Sequence, residues 1–528
     1  MVRSMLARTL SPEQNPSPQR GDAMTPLTAT DILAELRALL GELGRHGGLQ
    51  SSSVYDTAQV MRLAPPEEGV DAAVQWLLGQ QHEDGGWDNP KVPQARDTPT
   101  LAAVLALHVH GKDERARRAV ERGLEFLRRQ RPFWAWTQPP DDLLVGVELT
   151  LPRLLEDAVA LGLEVPVDQY AALCEMGRRR REKLLRMKHY PGTPPVHSWE
   201  GWGTEPDPAL IDASGGVGLS PAATAAWLHA ARGRPELEQA CSSARRYLKN
   251  AEVGSDAGIP GVVPPSWPIN WMEQEWGLLA LMCAGLLNHP ELADVVNSHL
   301  DKLSAAFTPR GIGFTDYFMP DADCTAVTLA LLITAGRPAD IGLLDQYARE
   351  EHFITYPGES NPSLTTTAHA VMALNIAGRD TSRWVDALLR KRDEDNLWRR
   401  DKWQTSWLYT TTHVMFAIAQ PTAMRSSIET LLRNQREDGG WGAGNQATSV
   451  ETAFAVLVLH WLRDKGVEQE AIHGALQRAQ RYLQRNYDPR PSTPEREPLW
   501  ISKALYCPYR MDRAFELSAM LALALSAR

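Results

Sequence analysis

The segment Gln81-His-Glu-Asp84-Gly85-Gly86-Trp87 returns near the other end of the chain as Gln435-Arg-Glu-Asp438-Gly439-Gly440-Trp441. Each copy follows one helix-periodic apolar stretch and precedes another, and a weaker copy stands at Asp212-Ala-Ser-Gly215-Gly216. The chemistry of the repeat is structural. Paired glycines permit a tight turn after a helix, the Asp carboxylate accepts the backbone amides that follow it, and the Trp fills the space between neighbouring helices. Helix pairs repeated in this way bury their apolar faces only against their neighbours, so they close into a toroid or stack as a solenoid. The expectation is an all-α protein built from two α-helical barrels.

The rest of the chain agrees with that class. Helical periodicity runs through Asp31 to Leu43, Pro221 to Arg232 and Thr325 to Ala335, whereas strand-type alternation is scarce. A length of 528 residues exceeds one ordinary core. Residues 1–26, rich in Pro, Ser, Gln and Arg, read as a disordered leader, with Met24 as an alternative start. A net charge of −10 argues against a nucleic-acid surface. Cys174, Cys241, Cys283, Cys324 and Cys507 are scattered and odd in number, which points to neither a disulfide framework nor a cysteine-rich zinc site and suits a reducing cytoplasm. No apolar run is long enough for stable membrane insertion, and the first residues lack the apolar region of a secretory signal. The 17 Trp against 9 Phe are unusual, since the faces of such rings stabilise cations.

Chemistry concentrates at Asp321-Ala322-Asp323, two carboxylates just ahead of an apolar helix. Either could be a helix cap. A carboxyl group opening into an apolar cavity also resists ionisation, however, and a neutral carboxylic acid is a general acid toward a base as weak as an alkene.

Here the sequence resembles the class II diterpene cyclases of the copalyl diphosphate synthase type, whose Asp-x-Asp-Asp-Thr-Ala signature looks like Asp321-Ala322-Asp323-Cys324-Thr325-Ala326. The resemblance extends in order through Ser53-Val-Tyr55-Asp56-Thr57-Ala58, Val145-Gly146-Val147-Glu148, His197-Ser198-Trp199-Glu200-Gly201, Leu219-Ser220-Pro221, Gly358-Glu359-Ser360-Asn361, Asp401-Lys402-Trp403 and Tyr506-Cys507-Pro508-Tyr509-Arg510. It covers roughly residues 50 to 515, far more than a single motif match.

The resemblance implies a division of labour. Asp323 is the proton donor, positioned or polarised by Asp321, with Cys324 and Thr325 completing the motif. Cys324 replaces the usual fourth Asp, as in the related oxidosqualene cyclases. His369 stands where plant-type members carry an Asn beside the acid; the similar squalene-hopene cyclases pair the acid with a His, so His369 is expected to orient Asp323. Asn361 and Thr365 match residues at the substrate, and Trp267, Trp271, Trp403 and Trp407 lie in pocket-lining segments. His197 matches one half of a His-Asn pair that ends the reaction, but Pro265 occupies the other half and cannot hold water. Arg179 and Lys183, together on one helix face, and Lys402 are candidates for the diphosphate; Glu148 is expected to bind Mg²⁺. The family arrangement further implies an acid-bearing barrel from residues 27–48 and 300–528, a second barrel from 49–299, and substrate between them.

Competing classes fit less well. Ionisation of the diphosphate needs Asp-Asp-x-x-Asp, and Asp141-Asp142-Leu-Leu-Val145 lacks the last acid. A zinc-dependent protein prenyltransferase subunit needs Asp-x-Cys, whereas Asp323 and Cys324 are adjacent. A non-catalytic helical scaffold gives no reason for acids, cations and aromatics to follow cyclase order. Geranylgeranyl diphosphate, yielding a labdane, copalyl or clerodane diphosphate, is the expected substrate; farnesyl diphosphate, yielding a drimane, is the alternative. A class I synthase or a phosphatase would take the product onward.

Overall fold

The computed structural model describes residues 27–136, 140, 143–359, 361–490 and 496–526. The expected leader, the Asp141-Asp142 pair and Ser360 lie outside the described residues.

Six helices form the inner ring of one barrel: Asn270–Cys283, Ala322–Thr334, Leu364–Ile376, Trp407–Ile418, Ser449–Asp464 and Tyr509–Ser526. Each packs on the next, and the last returns to the first. These helices are buried on nearly every face, which explains their weak amphipathicity. Helices outside the ring bury only one stripe; Ser382–Arg390, for instance, buries Trp384, Val385, Ala387 and Leu388. The second ring comprises Val54–Leu63, Asp97–His110, Val147–Ala160, the short Trp199–Trp202 and Pro221–Ala230, closing on Val54–Leu63. Among the described residues, no helix is long and apolar enough to cross a membrane.

One boundary shifts from its expected place. Helix Asn270–Cys283, assigned by the division at 299 to the second barrel, completes the acid-bearing ring instead. Its Trp276, Leu278 and Leu279 lie in the same core as Leu329 and Leu374, and Ala293–Ala306 joins that core through Val296 and Leu300. The hairpin Trp500–Ile501 with Leu505–Tyr506 straddles both barrels. Trp500 and Tyr506 enter the acid-bearing core, while Ile501 and Leu505 enter the other. That division is what side chains alternating along a strand produce.

The repeated turn is built identically in both copies. Trp87 Nε1 donates to Leu77 O at 2.8 Å and its backbone N to Thr100 Oγ1 at 3.0 Å. Trp441 makes the same bonds to Leu431 O at 2.8 Å and Thr452 Oγ1 at 2.9 Å. Gly85 and Gly439 have φ of 90° and 96°, and a Cβ on either would meet a carbonyl oxygen at 2.5 Å. A further copy, not evident from the sequence pattern, ends at Trp398, whose Nε1 donates to Leu388 O at 2.7 Å and whose N donates to Thr411 Oγ1 at 3.0 Å. Asn396 takes the left-handed position there, with φ 68°. The threonine stitch is more general than the Trp. Val217, Ile312 and Phe353 donate their backbone N–H to Thr224, Thr325 and Thr367 at 2.9, 3.1 and 3.1 Å. Thr325, expected among the catalytic residues, is therefore the stitch of its own helix, its hydroxyl occupied by both the N–H and the O of Ile312.

Trp441→Ala removes a fully buried indole from this junction. It is expected to destabilise the protein by about 3–5 kcal/mol, measured as a fall in the denaturant midpoint.

Candidate active site

Asp321 is the N-cap of helix Ala322–Thr334; its Oδ1 accepts the Cys324 N–H at 2.8 Å. Capping and chemistry thus share the motif. Burial, opposed by that hydrogen bond, pushes the Asp321 carboxyl up to about 7. Asp323, one residue into the helix, is 8% exposed, and its Oδ1 lies 2.6 Å from His369 Nδ1. His369 reaches it from the next ring helix and meets His413 Nδ1 through its own Nε2 at 2.7 Å. His413 stands in none of the motifs that mark the sequence. Neither does Glu275, fully buried on helix Asn270–Cys283, which accepts from Thr328 Oγ1 at 2.9 Å. Burial, then the nearby Asp321 charge, pushes Glu275 well above the usual carboxyl range. Cys324, whose thiol bonds toward Glu275, is raised well above an ordinary thiol, first by burial and then by Asp321. The thiol stays protonated and adds no charge beside the acid.

An aromatic row leads from this pair across the gap between the barrels. Tyr356, half-buried and close enough to be affected by the charges of Asp321 and Asp323, meets Phe318 edge-on at 5.9 Å. Phe318 packs on Phe314 at 4.8 Å and presents its edge to His197 of the second barrel at 6.4 Å. His197 is buried, and its Nδ1 lies 2.8 Å from Gly218 O. Because a carbonyl only accepts, Nδ1 carries the proton and Nε2 keeps its lone pair. Burial, then the Lys503 charge, pushes the His197 ring down to about 3, so it is a neutral base.

Cations gather at the same interface, though not all those expected. Lys402 contacts Glu359, donates to Asn361 O at 3.1 Å and lies 4.6 Å over the Trp403 ring. Burial, then the Arg180 charge from the other barrel, lowers its ammonium to about 7, while the Asp323 charge works in the opposite sense. Arg179 is instead spent on Glu175 at 2.7 Å, and Lys183 is exposed on the same outward face. Arg180, itself exposed on the same helix, reaches the buried Glu148 in their place.

Other expected positions also prove structural. Thr365 Oγ1 donates to Asp401 Oδ2 at 2.9 Å, and Asp401 Oδ1 accepts the Leu364 N–H at 2.8 Å, so this pair holds the start of the helix that carries His369. Trp267 fastens the N-terminal segment through Nε1 to His46 O at 2.9 Å, away from the acid, and Trp271 donates to Asp316 at 2.9 Å. Trp407 lies under Arg399, 5.2 Å from ring centroid to guanidinium carbon. Trp276 stands edge-on to His369 at 5.8 Å. Glu148, expected to bind Mg²⁺, forms an ion pair with Arg180 at 2.6 Å. No group of three or more His, Cys, Asp or Glu among the described residues could surround a metal ion there. A carboxylate already neutralised by a guanidinium, with no companion ligands, does not fit an Mg²⁺ site held by the protein.

Lys503, at the tip of the straddling hairpin, ties the barrels together. It is 1% exposed, donates to His197 O at 2.8 Å and Glu200 Oε1 at 2.6 Å, and contacts Ser220. Tyr55 OH donates to the same Glu200 oxygen at 2.9 Å.

A buried carboxyl gripped by imidazole, an aromatic row, a neutral base and facing cations between two α-barrels define a protonation-initiated polyene cyclase. The comparisons agree. The chain is 45% identical over 514 residues to a (+)-kolavenyl diphosphate synthase of Herpetosiphon aurantiacus, covering 94% of this chain and 98% of that one. It is 30% identical over 509 residues to an ent-copalyl diphosphate synthase of a Streptomyces species, covering 90% and 93%. The solved ent-copalyl diphosphate synthase of Streptomyces platensis superposes with a TM-score of 0.76 at 29% identity, over 93% of this chain and 99% of that one. No family model matches the chain. It belongs to the class II diterpene cyclases, isomerases of diterpene biosynthesis.

Lys503→Met strands the buried Glu200 carboxylate. The expected cost is about 3–5 kcal/mol, read as a lowered unfolding midpoint; an unchanged midpoint would show that the hairpin tip carries no such tie.

Proposed function

We propose that this chain binds geranylgeranyl diphosphate between its barrels, protonates the distal alkene from Asp323, and releases a bicyclic labdane- or clerodane-type diphosphate with both phosphates in place. The observation that carries this reading is the buried Asp323–His369 contact at 2.6 Å. With Oδ1 engaged by the ring, the transferable proton rides on Oδ2. Protonation of the alkene leaves a tertiary cation, and successive alkenes attack it to close the rings. Positive charge then migrates past Tyr356, Phe318 and Trp276, whose ring faces and edges stabilise it without offering a strong nucleophile. His197 Nε2 receives the proton lost at termination.

Lys402 and Arg180, from opposite barrels, are assigned to the diphosphate, which shares them with their present partners Glu359 and Glu148. An incoming dianion compensates the repulsion between them and favours the charged form of Lys402. Similarity to the (+)-kolavenyl and ent-copalyl diphosphate synthases supports a diterpenyl product. Because the diphosphate is retained, the product suits a following enzyme that ionises or hydrolyses it.

Incubation with geranylgeranyl and, separately, farnesyl diphosphate, followed by dephosphorylation and identification of the alcohols, tests the reading. A cyclic C20 alcohol is expected, and its absence from both incubations would refute it. Asp323→Asn is expected to fold and make no cyclic product; retained turnover would place the acid elsewhere. Arg180→Ala and Lys402→Ala each remove a charge-assisted contact worth about 1.5–3 kcal/mol. Each is expected to raise KM by about 10- to 100-fold, and an unchanged KM would relocate the diphosphate.

A further inference from the structure

His413 belongs to helix Trp407–Ile418, two residues beyond the stitch Thr411, and His369 holds the same place on the preceding ring helix, two beyond Thr367. The corresponding residues on the flanking ring helices are Val327, two past Thr325, and Phe454, two past Thr452, both buried and apolar. Two imidazoles in a carbon layer are costly unless they satisfy each other. They do so at 2.7 Å, while the far side of His369 meets Asp323 at 2.6 Å. The His413 ring is held from several sides. Tyr409 stacks on it at 4.0 Å, Phe515 and Phe454 meet its edges at 6.0 and 6.4 Å, and Tyr409 is itself fixed by Trp276 Nε1–H at 2.7 Å. No step derived above uses this residue.

We propose that His413 is a positioning residue for the acid: its Nδ1 accepts the Nε2–H of His369, so that His369 holds protons on both nitrogens and donates Nδ1–H to Asp323 Oδ1. The inference rests on Asp323 being the proton donor. A buried imidazolium needs an acceptor for each of its two N–H groups, and Asp323 satisfies only one. Without His413 the second would face aromatic carbon. Burial, then the adjoining His369, pushes His413 well below an ordinary histidine, so it keeps the lone pair that this role needs. The cationic ring withdraws charge from Asp323 Oδ1, which makes the proton on Oδ2 easier to release to an alkene. Afterwards carboxylate and imidazolium stand as an ion pair. One proton from solvent, matching the one lost at termination, restores the starting state. The other titratable or charged groups packed around this pair are Asp321 and Cys324 of the acid helix, Glu275 of helix Asn270–Cys283, Tyr409 beside His413, and Lys402, whose charge reaches Asp323.

The test uses the full chain with geranylgeranyl diphosphate and compares His413→Leu with His413→Asn, whose amide oxygen falls near the position of Nδ1. The leucine variant is expected to lose at least about tenfold in kcat, equivalent to about 1.4 kcal/mol, at unchanged KM. Its alkaline limb of kcat against pH should move to lower pH, since losing the acceptor disfavours the charged ring. Asparagine is expected to restore most of kcat and the position of the limb. A folded leucine variant with wild-type kcat and limb would overturn the proposal, as would an asparagine variant as impaired as leucine with the limb unmoved. Imidazole ¹⁵N shifts of the wild-type protein, assigned by difference from the two variants and independent of turnover, should show His413 protonated at Nε2 and bare at Nδ1. A proton found on Nδ1 overturns the proposal even if cyclisation proceeds as described, whereas absent cyclisation with a bare Nδ1 would fault only the reading of Asp323.

Discussion

The hydroxyl of a threonine one turn into a ring helix, accepting the N–H of the residue that ends the preceding turn, is the interaction on which the architecture depends. It recurs at Thr100, Thr224, Thr325, Thr367, Thr411 and Thr452, while Thr57 accepts the N–H of Val263, distant in sequence, in the same way. The bond satisfies an amide that helix entry would otherwise leave buried and unpaired, and it fixes how far each helix is driven into the barrel. Register follows from it. Residues two positions past the stitch fall in one layer, which is how His369 and His413 come to touch, and Asp323, two positions before it, opens the acid helix beside them. The catalytic motif is thus a structural repeat carrying two extra carboxylates.

The reaction also needs the second barrel. His197 is set by Gly218 within its own barrel and held by the Lys503 ammonium from the hairpin of the other. The Arg180 charge reaches Lys402 from the second barrel. On the proposed assignment, proton donor, cation path, base and diphosphate contacts share one interface, and Lys503 couples the placement of His197 to the barrel that holds Asp323. Desolvation governs the electrostatics: it raises the Asp321 carboxyl to about 7 and holds Glu275 and the Cys324 thiol well above their ordinary ranges, which lessens the negative charge around Asp323.

Much of this was legible in the sequence. The Gly-Gly-Trp turns, the helical periodicity and the ordered motifs led to two α-barrels and to Asp321, Asp323 and His369. What escaped did so for physical reasons. The turn ending at Trp398 uses Asn396 and Leu397 where the others use two glycines, because Asn also tolerates the left-handed conformation. His413 follows a threonine run, Thr410-Thr411-Thr412-His413, much as His369 follows Thr365-Thr366-Thr367-Ala368, a similarity visible only once the stitch is known. Arg180 is as exposed as its neighbours in the run of four arginines, and only its ion pair with the buried Glu148 sets it apart from Arg179 and Lys183. The boundary at 299 was misplaced because the charged text Glu273-Gln274-Glu275 disguises a ring helix: Glu273 accepts Gly44 N–H and pairs with Arg510, and Glu275 lies beside the acid.

The claim at the centre is that reaction begins by proton transfer to the alkene farthest from the diphosphate. Geranylgeranyl diphosphate with that one alkene saturated isolates the step. The account expects this analogue to compete with the normal substrate for binding yet emerge unchanged, neither cyclised nor relieved of pyrophosphate. Ring formation or pyrophosphate release from it would contradict the account.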